Sequence, residues 1–204
     1  MINKLINQFI KIIKSNIYLD SKKEELVTYA MRIIIFELII GTFCIAISLL
    51  LGVFKFLVVT TIGFGAMRVL AGGAHANSRL ECFVFYNIII WGVIYLSTML
   101  TISTEVIVIL MIINIFVLSL YAPGDTLKKP IIRKKKRKLL KIASIILTIL
   151  LHVVALLIQS MESVISNILV LSSIVTVILL LPLGYKLCRC KSGYKNQGSD
   201  IIKC

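Results

Sequence analysis

The sequence predicts an all-α integral membrane protein with about six transmembrane helices and an N-terminal amphipathic helix in the membrane interface. Three observations support this class: 59% of the 204 residues are apolar, the apolar residues form long runs, and basic residues cluster between the runs. A soluble domain of this size cannot bury so many apolar side chains, because about a third of its chain surface stays in water. Composition therefore excludes an ordinary globular enzyme, a secreted disulfide scaffold and a disordered chain.

The first 30 residues form the predicted interfacial segment. Lysines interrupt every apolar run before a signal peptide could form, and the apolar residues recur at helical spacing. Two interpretations stay open: the helix anchors the chain to anionic lipid, or it docks an amphipathic helix of a partner. The apolar positions are Ile2, Leu5, Ile6, Phe9, Ile10 and Ile13.

Six apolar runs follow, at residues 33–54, 56–67, 82–100, 106–121, 139–158 and 164–185. About 20 residues are needed to cross a hydrocarbon core of about 30 Å, so most of these runs are long enough to span. The second run is too short. Its helix either continues past Arg68 to the following glycines or is broken and buried in protein.

The basic residues predict the orientation. If the spans alternate from a cytoplasmic N-terminus, 22 of the 23 Lys and Arg residues lie inside and only Lys55 lies outside. The sequence therefore predicts one multi-pass domain of the cell membrane (residues 1–204) with both termini cytoplasmic. It consists of an interfacial segment (1–30), a helical core (31–185) with a basic cytoplasmic loop (122–141), and a basic tail (186–204).

The densest charge run lies in this cytoplasmic loop. It either anchors the topology at lipid head groups or binds an acidic peptide segment. Nucleic acid is not an expected partner, because no aromatic residues interleave the charges. The residues considered for binding are Lys128, Lys129, Arg133, Lys134, Lys135, Lys136, Arg137 and Lys138.

The five cysteines do not predict disulfides, since one lies in a span and the others lie at the reducing cytoplasmic face. Cys188 and Cys190 lack the spacing and the histidines of a zinc site, so neither a metal nor another cofactor is expected. His152 lies near the middle of the fifth run, where we expect it to pack or hydrogen-bond between helices.

One polar segment brings a histidine and a cysteine together. On one continuous helix, His75 and Cys82 would be about 10 Å apart, too far for a hydrogen bond. Ser78, three residues before Glu81, has the form of a capping box, which places Cys82 in the first turn of the third span. There the helix dipole favours a thiolate that a folded-back His75 could serve as base.

Two neighbouring features fit such a site. Gly72 and Gly73 give the backbone its freedom and leave an approach for substrate. Glu37 lies about one turn inside the cytoplasmic end of the first span, where it could orient His75, pair with Arg68, or form a purely structural ion pair. A lone cysteine and a lone histidine at one interface can also be unrelated.

The order Arg68, Gly72-Gly73, His75 and Cys82, followed by the Pro-Gly-Asp-Thr element around Asp125, resembles the accessory gene regulator protein B family of membrane endopeptidases. The resemblance extends over essentially the whole chain. It implies a protein that cleaves the precursor of a cyclic quorum-sensing peptide inside the cell and closes a thiolactone or lactone ring.

The resemblance also implies residue roles and partners. Cys82 would be the nucleophile, His75 its base, and Arg68 and Gly73 residues that the site needs, while the role of the Asp125 loop stays open. The substrate would carry an amphipathic leader and an acidic C-terminal tail, matching the interfacial segment and the basic run, and a homodimer is expected.

Two other classes remain at this point. A small peptide transporter or exporter would explain the spans and a broken second helix. A lipid-binding structural protein would need neither His75 nor Cys82.

Overall fold

The computed structural model describes residues 20–74, 79–125, 131 and 133–190. Helices make up most of this part of the chain, which confirms the all-α class. Most of the interfacial segment (1–19), together with His75, Ser78, Lys128 and Lys129, lies outside the described residues. The helices are α1 (Ser21–Leu50), α2 (Phe54–Ala71), α3 (Arg79–Met99), α4 (Thr104–Tyr121), α5 (Lys134–Ile158), α6 (Ser163–Leu180) and α7 (Pro182–Leu187).

Contacts divide the chain into two compact units, one ending at Gly52 and one beginning at Val53. The first unit contains α1, a helix of 30 residues. Its two threonine hydroxyl groups bond the helix's own backbone: Thr28 donates to the Glu24 carbonyl and Thr42 to the Leu38 carbonyl. Such bonds let a helix carry polar residues through an apolar environment. Glu37 is exposed on this helix.

The second unit is built around α6, which contacts α2, α3, α4, α5 and α7. Small polar residues make this central position possible, because they let neighbouring backbones approach closely. For example, a Cβ atom added to Gly63 on α2 would lie only 3.6 Å from the Ser172 hydroxyl of α6. The buried hydroxyl residues of α6 are Ser166, Ser172, Ser173 and Thr176.

Hydrogen bonds between helices fix α6 in place. The Asn114 amide of α4 donates to the Ser173 hydroxyl at 2.9 Å, and the Ser166 hydroxyl donates to the Ala155 carbonyl of α5 at 2.9 Å. The Asn167 amide donates to the Leu100 carbonyl at the end of α3, at 2.7 Å. Each bond pairs a polar group that would be costly to leave unpaired in a dry interior.

Five helices of the described residues are long and apolar enough to cross a membrane, α2 to α6. For α3, this apolar length begins at Glu81. A shorter apolar stretch, Glu37–Leu50, lies in α1. Five of the six predicted spans therefore correspond to helices long enough to cross a membrane. The first, at residues 33–54, stays a prediction. For the second span, the structure selects the first alternative: α2 is one continuous helix of 18 residues that ends at Ala71 and is capped by Gly72.

The last predicted span, residues 164–185, is wrong at its C-terminal end. Helix α6 stops at Leu180, and a separate short helix begins at Pro182. Proline has no N–H to donate and forces the preceding residue out of the helical region. Leu181 accordingly has an extended backbone with ψ of 158°. The chain turns at this point, so Tyr185 lies in α7 instead of the spanning helix.

His152 is fully buried in the second unit. Its Nδ1 atom lies 2.8 Å from the Thr148 carbonyl of its own helix. Since a carbonyl only accepts, Nδ1 carries the proton and donates. The expectation of a packing residue is confirmed, although the hydrogen bond runs within α5 and not between helices.

A first prediction concerns the orientation of the helices. We expect a cysteine introduced as Lys55→Cys to react with a membrane-impermeant maleimide in intact cells, since Lys55 is 57% exposed beside Glu162. Cys82 should react only after permeabilisation, as should the control Lys135→Cys in the basic run. Mass spectrometry of the labelled peptides identifies the sites. Reaction of Cys82 in intact cells would contradict the cytoplasmic placement.

Candidate active site

Backbone hydrogen bonds join three distant parts of the chain at the end of α2. The Gly124 N–H donates to the Ala71 carbonyl at 2.8 Å, and the Gly73 N–H donates to the Gly124 carbonyl at 3.1 Å. The Ala74 N–H donates to the Leu179 carbonyl of α6 at 3.0 Å. We call residues 71–74 with Gly124 the glycine junction.

The glycine junction requires glycine for steric reasons. Gly72 and Gly73 have φ of 71° and 111°, which L side chains rarely adopt. A Cβ atom on Gly72 would overlap the Gly124 carbonyl oxygen, and one on Gly73 would lie 2.5 Å from the Arg68 guanidinium. A Cβ atom on Gly124 would lie 2.8 Å from the Gly73 backbone. The two backbones can approach only because all three residues lack side chains.

Arg68 turns back from the last turn of α2 onto this junction. Its Nη1 donates to the Gly72 carbonyl at 2.6 Å, and the side chain is partly buried. The guanidinium also interacts electrostatically with Cys188, Tyr185, Cys82 and Cys190. The glycine junction therefore holds a cation within electrostatic range of three thiols.

Cys82 lies in the first turn of α3, which begins at Arg79 and has Glu81 in the same turn. It is exposed, in contrast to Cys188 and Cys190, which are buried. The unpaired N–H groups of a helix N-terminus carry positive partial charge and favour a thiolate. The helix start thus agrees with the predicted position of Cys82, while the predicted base His75 and cap Ser78 fall outside the described residues.

Asp125 follows the glycine junction and is almost completely buried, with 3% of its side chain exposed. Its Oδ2 accepts from Arg137 Nη1 at 3.0 Å and from the Ile131 N–H at 3.1 Å. Its carbonyl accepts from the Tyr185 hydroxyl at 2.9 Å. Burial, and then the charge of Asp125, raise the pKa of Tyr185 to about 12, so the phenol keeps its proton at physiological pH.

The C-terminal segment packs under the junction. Ala74, Tyr185, Cys188 and Cys190 form one buried cluster. Burial raises the pKa of the Cys188 thiol, and the neighbouring Cys190 raises it further. Sequence reasoning treated both cysteines as tail residues and missed Tyr185. The only available signal was Pro182, which could have indicated the turn that brings them back.

The basic run divides into two groups. Arg133 and Lys134 to Lys136 are exposed, as is Lys138. Arg137 is only 17% exposed, because it pairs with Asp125 and donates from Nη2 to the Pro123 carbonyl at 3.3 Å. The structure thus brings together Arg68, Gly72, Gly73, Asp125 and Arg137, while Glu37 belongs to the other compact unit.

Within the described residues, no group of three or more histidines, cysteines or acids could hold a metal ion. The arrangement that remains is an exposed thiol at a helix N-terminus with a fixed guanidinium nearby. The fold and this arrangement together define a multi-span helical membrane protein with a candidate thiol site.

The family to which the chain belongs follows from comparison with known proteins. The profile of the family "Accessory gene regulator B" matches residues 2–180. The accessory gene regulator protein B of Staphylococcus aureus strain bovine RF122 / ET3-1 is 31% identical over 181 residues, covering 88% of this chain and 94% of the relative. That of S. aureus strain JH9 is 32% identical over 183 residues, with the same coverage.

An AgrB-like protein of Clostridium acetobutylicum is 31% identical over 140 residues, covering 69% of this chain and 66% of the relative. No solved structure matches the chain. The chain belongs to the accessory gene regulator protein B family. This membership implies a role in processing the peptide of an accessory gene regulator quorum-sensing system.

A second prediction tests the glycine junction. We expect Gly72→Ala to lower the melting temperature in detergent, because the added methyl group meets the Gly124 carbonyl and the backbone is strained by about 1–3 kcal/mol. The matched control is Gly65→Ala within α2, where a Cβ atom meets nothing within 4 Å. That change should be neutral or stabilise by about 0.5–1 kcal/mol. Equal melting temperatures for the two variants would contradict the junction.

Proposed function

We propose that this protein is a cysteine endopeptidase of the cytoplasmic membrane that cleaves the precursor of a quorum-sensing peptide and promotes ring closure. The observation that carries the proposal is the position of Cys82, exposed in the first turn of α3 and within electrostatic range of the Arg68 cation. Membership of the accessory gene regulator protein B family supplies the substrate class.

The reaction begins at the Cys82 thiol. His75 takes the thiol proton, and the sulfur attacks the scissile carbonyl carbon of the precursor. As the carbon–nitrogen bond breaks, His75 returns the proton to the leaving amine, and the C-terminal fragment departs. The N-terminal part of the precursor is then joined to Cys82 as a thioester.

Ring closure follows by exchange at this thioester. An internal Cys or Ser of the precursor attacks the carbonyl, Cys82 leaves with the proton of the attacking group, and a thiolactone or lactone forms. With an internal Cys, one thioester replaces another, so the exchange has little driving force of its own. Holding the internal nucleophile close to the thioester favours the ring over hydrolysis.

Arg68 supports both steps by its charge. A cation near the sulfur favours the thiolate over the thiol, and the helix N-terminus adds to this effect. The hydrogen bond to Gly72 holds the guanidinium through one of its donors at 2.6 Å, so its position does not depend on substrate. In this proposal Gly72 and Gly73 act by holding Arg68.

The acidic tail of the precursor binds the exposed part of the basic run. Arg133, Lys134, Lys135, Lys136 and Lys138 offer cations to solvent, and Lys128 and Lys129 add to the charge along the sequence. Arg137 is removed from this group, since its guanidinium is used by Asp125 and Pro123. Binding the tail would anchor the precursor on the side where Cys82 lies.

The remaining parts of the proposal concern the surroundings of the enzyme. The N-terminal segment (1–30) receives the amphipathic leader of the precursor at the lipid surface, and two copies of the chain form a homodimer. Both termini lie in the cytoplasm. The transporter alternative loses its main support, because the second span is continuous from Phe54 to Ala71.

A third prediction tests the nucleophile. Cys82→Ala should abolish precursor cleavage, since the thiol is lost but an exposed first-turn residue contributes little packing. His75→Ala should lower cleavage at neutral pH by about 10²–10⁴-fold, because the thiol and the leaving amine lose their proton carrier. A precursor whose internal ring-closing residue is changed to Ala should leave a thioester on Cys82, detectable as an added mass on the intact enzyme.

The controls for this experiment are Cys44→Ala and a metal chelator, which should both leave cleavage intact. Cys44 lies in α1, and the proposed chemistry uses no metal. Cleavage that persists in Cys82→Ala, or that a chelator stops, would contradict the thiol mechanism.

A fourth prediction tests tail binding. Changing Lys134, Lys135, Lys136 and Lys138 together to Gln should raise KM for the precursor and leave kcat nearly unchanged, because exposed charges contribute to substrate binding. The effect should be largest at low salt. The matched control is a precursor with its acidic tail residues changed to amides, for which the KM of the two enzymes should coincide. An unchanged KM for the acidic precursor would leave these lysines as membrane anchors.

A further inference from the structure

Asp125 receives hydrogen bonds from three different parts of the chain. Its carboxylate accepts from Arg137 of α5 and from the Ile131 backbone in the preceding loop, and its carbonyl accepts from Tyr185 of α7. The side chain is 3% exposed. The two donors hold the buried carboxylate firmly, and removing one partner of the ion pair leaves an uncompensated buried charge.

The residue before it, Gly124, carries this fixed position into the glycine junction. Its N–H and its carbonyl bond the Ala71 carbonyl and the Gly73 N–H, at 2.8 and 3.1 Å. A Cβ atom on Gly124 would lie 2.8 Å from the Gly73 backbone, so the two strands of backbone are in direct contact. A displacement of Asp125 therefore displaces residues 71–74 as well.

The glycine junction in turn holds Arg68. The guanidinium donates to the Gly72 carbonyl at 2.6 Å, and a Cβ atom on Gly73 would lie 2.5 Å from its Nη1. Contact on both glycines determines where the cation lies. Cys82 is one of the groups with which this cation interacts.

We propose that Asp125 is a positioning residue of the thiol site: its ion pair with Arg137 fixes the glycine junction, which holds the Arg68 cation near Cys82. The inference rests on the proposed function for the importance of Cys82, and it gives a role to Arg137, which among the described cations of the basic run (133–138) is the partly buried one. Asp125 touches neither substrate nor the reacting sulfur, and it acts through Arg68.

The direction in which Asp125→Asn shifts the pKa of the Cys82 thiol distinguishes this role from a direct effect of the Asp125 charge. Acting through space, loss of the Asp125 negative charge would lower the pKa of the Cys82 thiol. Acting through Arg68, the same loss lets the cation move away and raises that pKa. The other described groups in this neighbourhood are Glu81 on α3 and Cys188, Cys190 and Tyr185 of the C-terminal segment, and all of them stay unchanged in the test.

The experiment measures the rate of Cys82 alkylation by iodoacetamide against pH in the full-length protein in detergent, with the modified peptide quantified by mass spectrometry. We expect Asp125→Asn and Arg137→Gln to raise the inflection by about 0.5–1 pH unit, which slows alkylation at pH 7 by about three- to tenfold. Arg68→Gln should raise it at least as much, and Arg137→Lys should restore most of the native value.

The matched control is Lys138→Gln, which removes an exposed neighbouring charge and should leave the inflection unchanged. Melting temperatures show which variants are folded. If Asp125→Asn does not fold, Gly124→Ala carries the test, because it displaces the glycine junction without changing any charge; its inflection should rise, and an unchanged inflection in the folded variant would overturn the proposal. An unchanged or lowered inflection in folded Asp125→Asn, or no change in Arg68→Gln, would overturn the proposal. The alkylation experiment uses no precursor, so it tests the role of Asp125 alone. The proposed function is tested separately, by precursor cleavage in Cys82→Ala.

Discussion

The backbone pairing between Gly72, Gly73 and Gly124 is the constraint on which the rest of the site depends. It joins the end of α2 to the end of α4, while Ala74 is bonded to Leu179 at the end of α6. Three helix ends are thereby connected through main-chain groups. A change of side chain does not remove these donors and acceptors, unless the new residue is proline. The close approach leaves no space for a Cβ atom, so the same constraint determines the residue type at all three glycines.

Charge burial explains why this end of the bundle is so extensively bonded. A buried ion pair is favourable only when further hydrogen bonds compensate its lost hydration. Asp125 and Arg137 meet this condition through Ile131, Pro123 and each other, all within 3.3 Å. Breaking such a pair costs about 3–5 kcal/mol, which is a large part of the stability of an ordinary domain. This cost holds the loop after α4 in one conformation.

Hydropathy predicted the positions of five spans, because each contains an apolar run, although the second run was too short to decide between a continuous and a broken helix. The break after Leu180 was missed since Leu181 and Pro182 continue an apolar run, although the proline carried the signal. The role of Arg137 could not be predicted. It lies among six consecutive basic residues, and only its pairing with Asp125, 12 positions away, distinguishes it. The glycine junction is likewise formed between residues about 50 positions apart, where no local pattern of sequence indicates contact.

Exposure divides the described basic residues at this end of the bundle into two groups. Arg68 and Arg137 are partly buried and bond backbone carbonyls, whereas the lysines around Arg137 face solvent. Arginine suits the first group because its planar fork of donors can bond several acceptors and never loses its charge. Lysine suits the second, since a flexible hydrated ammonium can follow an acidic peptide or a lipid head group. Arg133 departs from this division, because it is exposed like the lysines. The geometry of this end of the bundle is therefore determined by the two partly buried arginines, and the exposed cations are the ones that can be changed without breaking its hydrogen bonds.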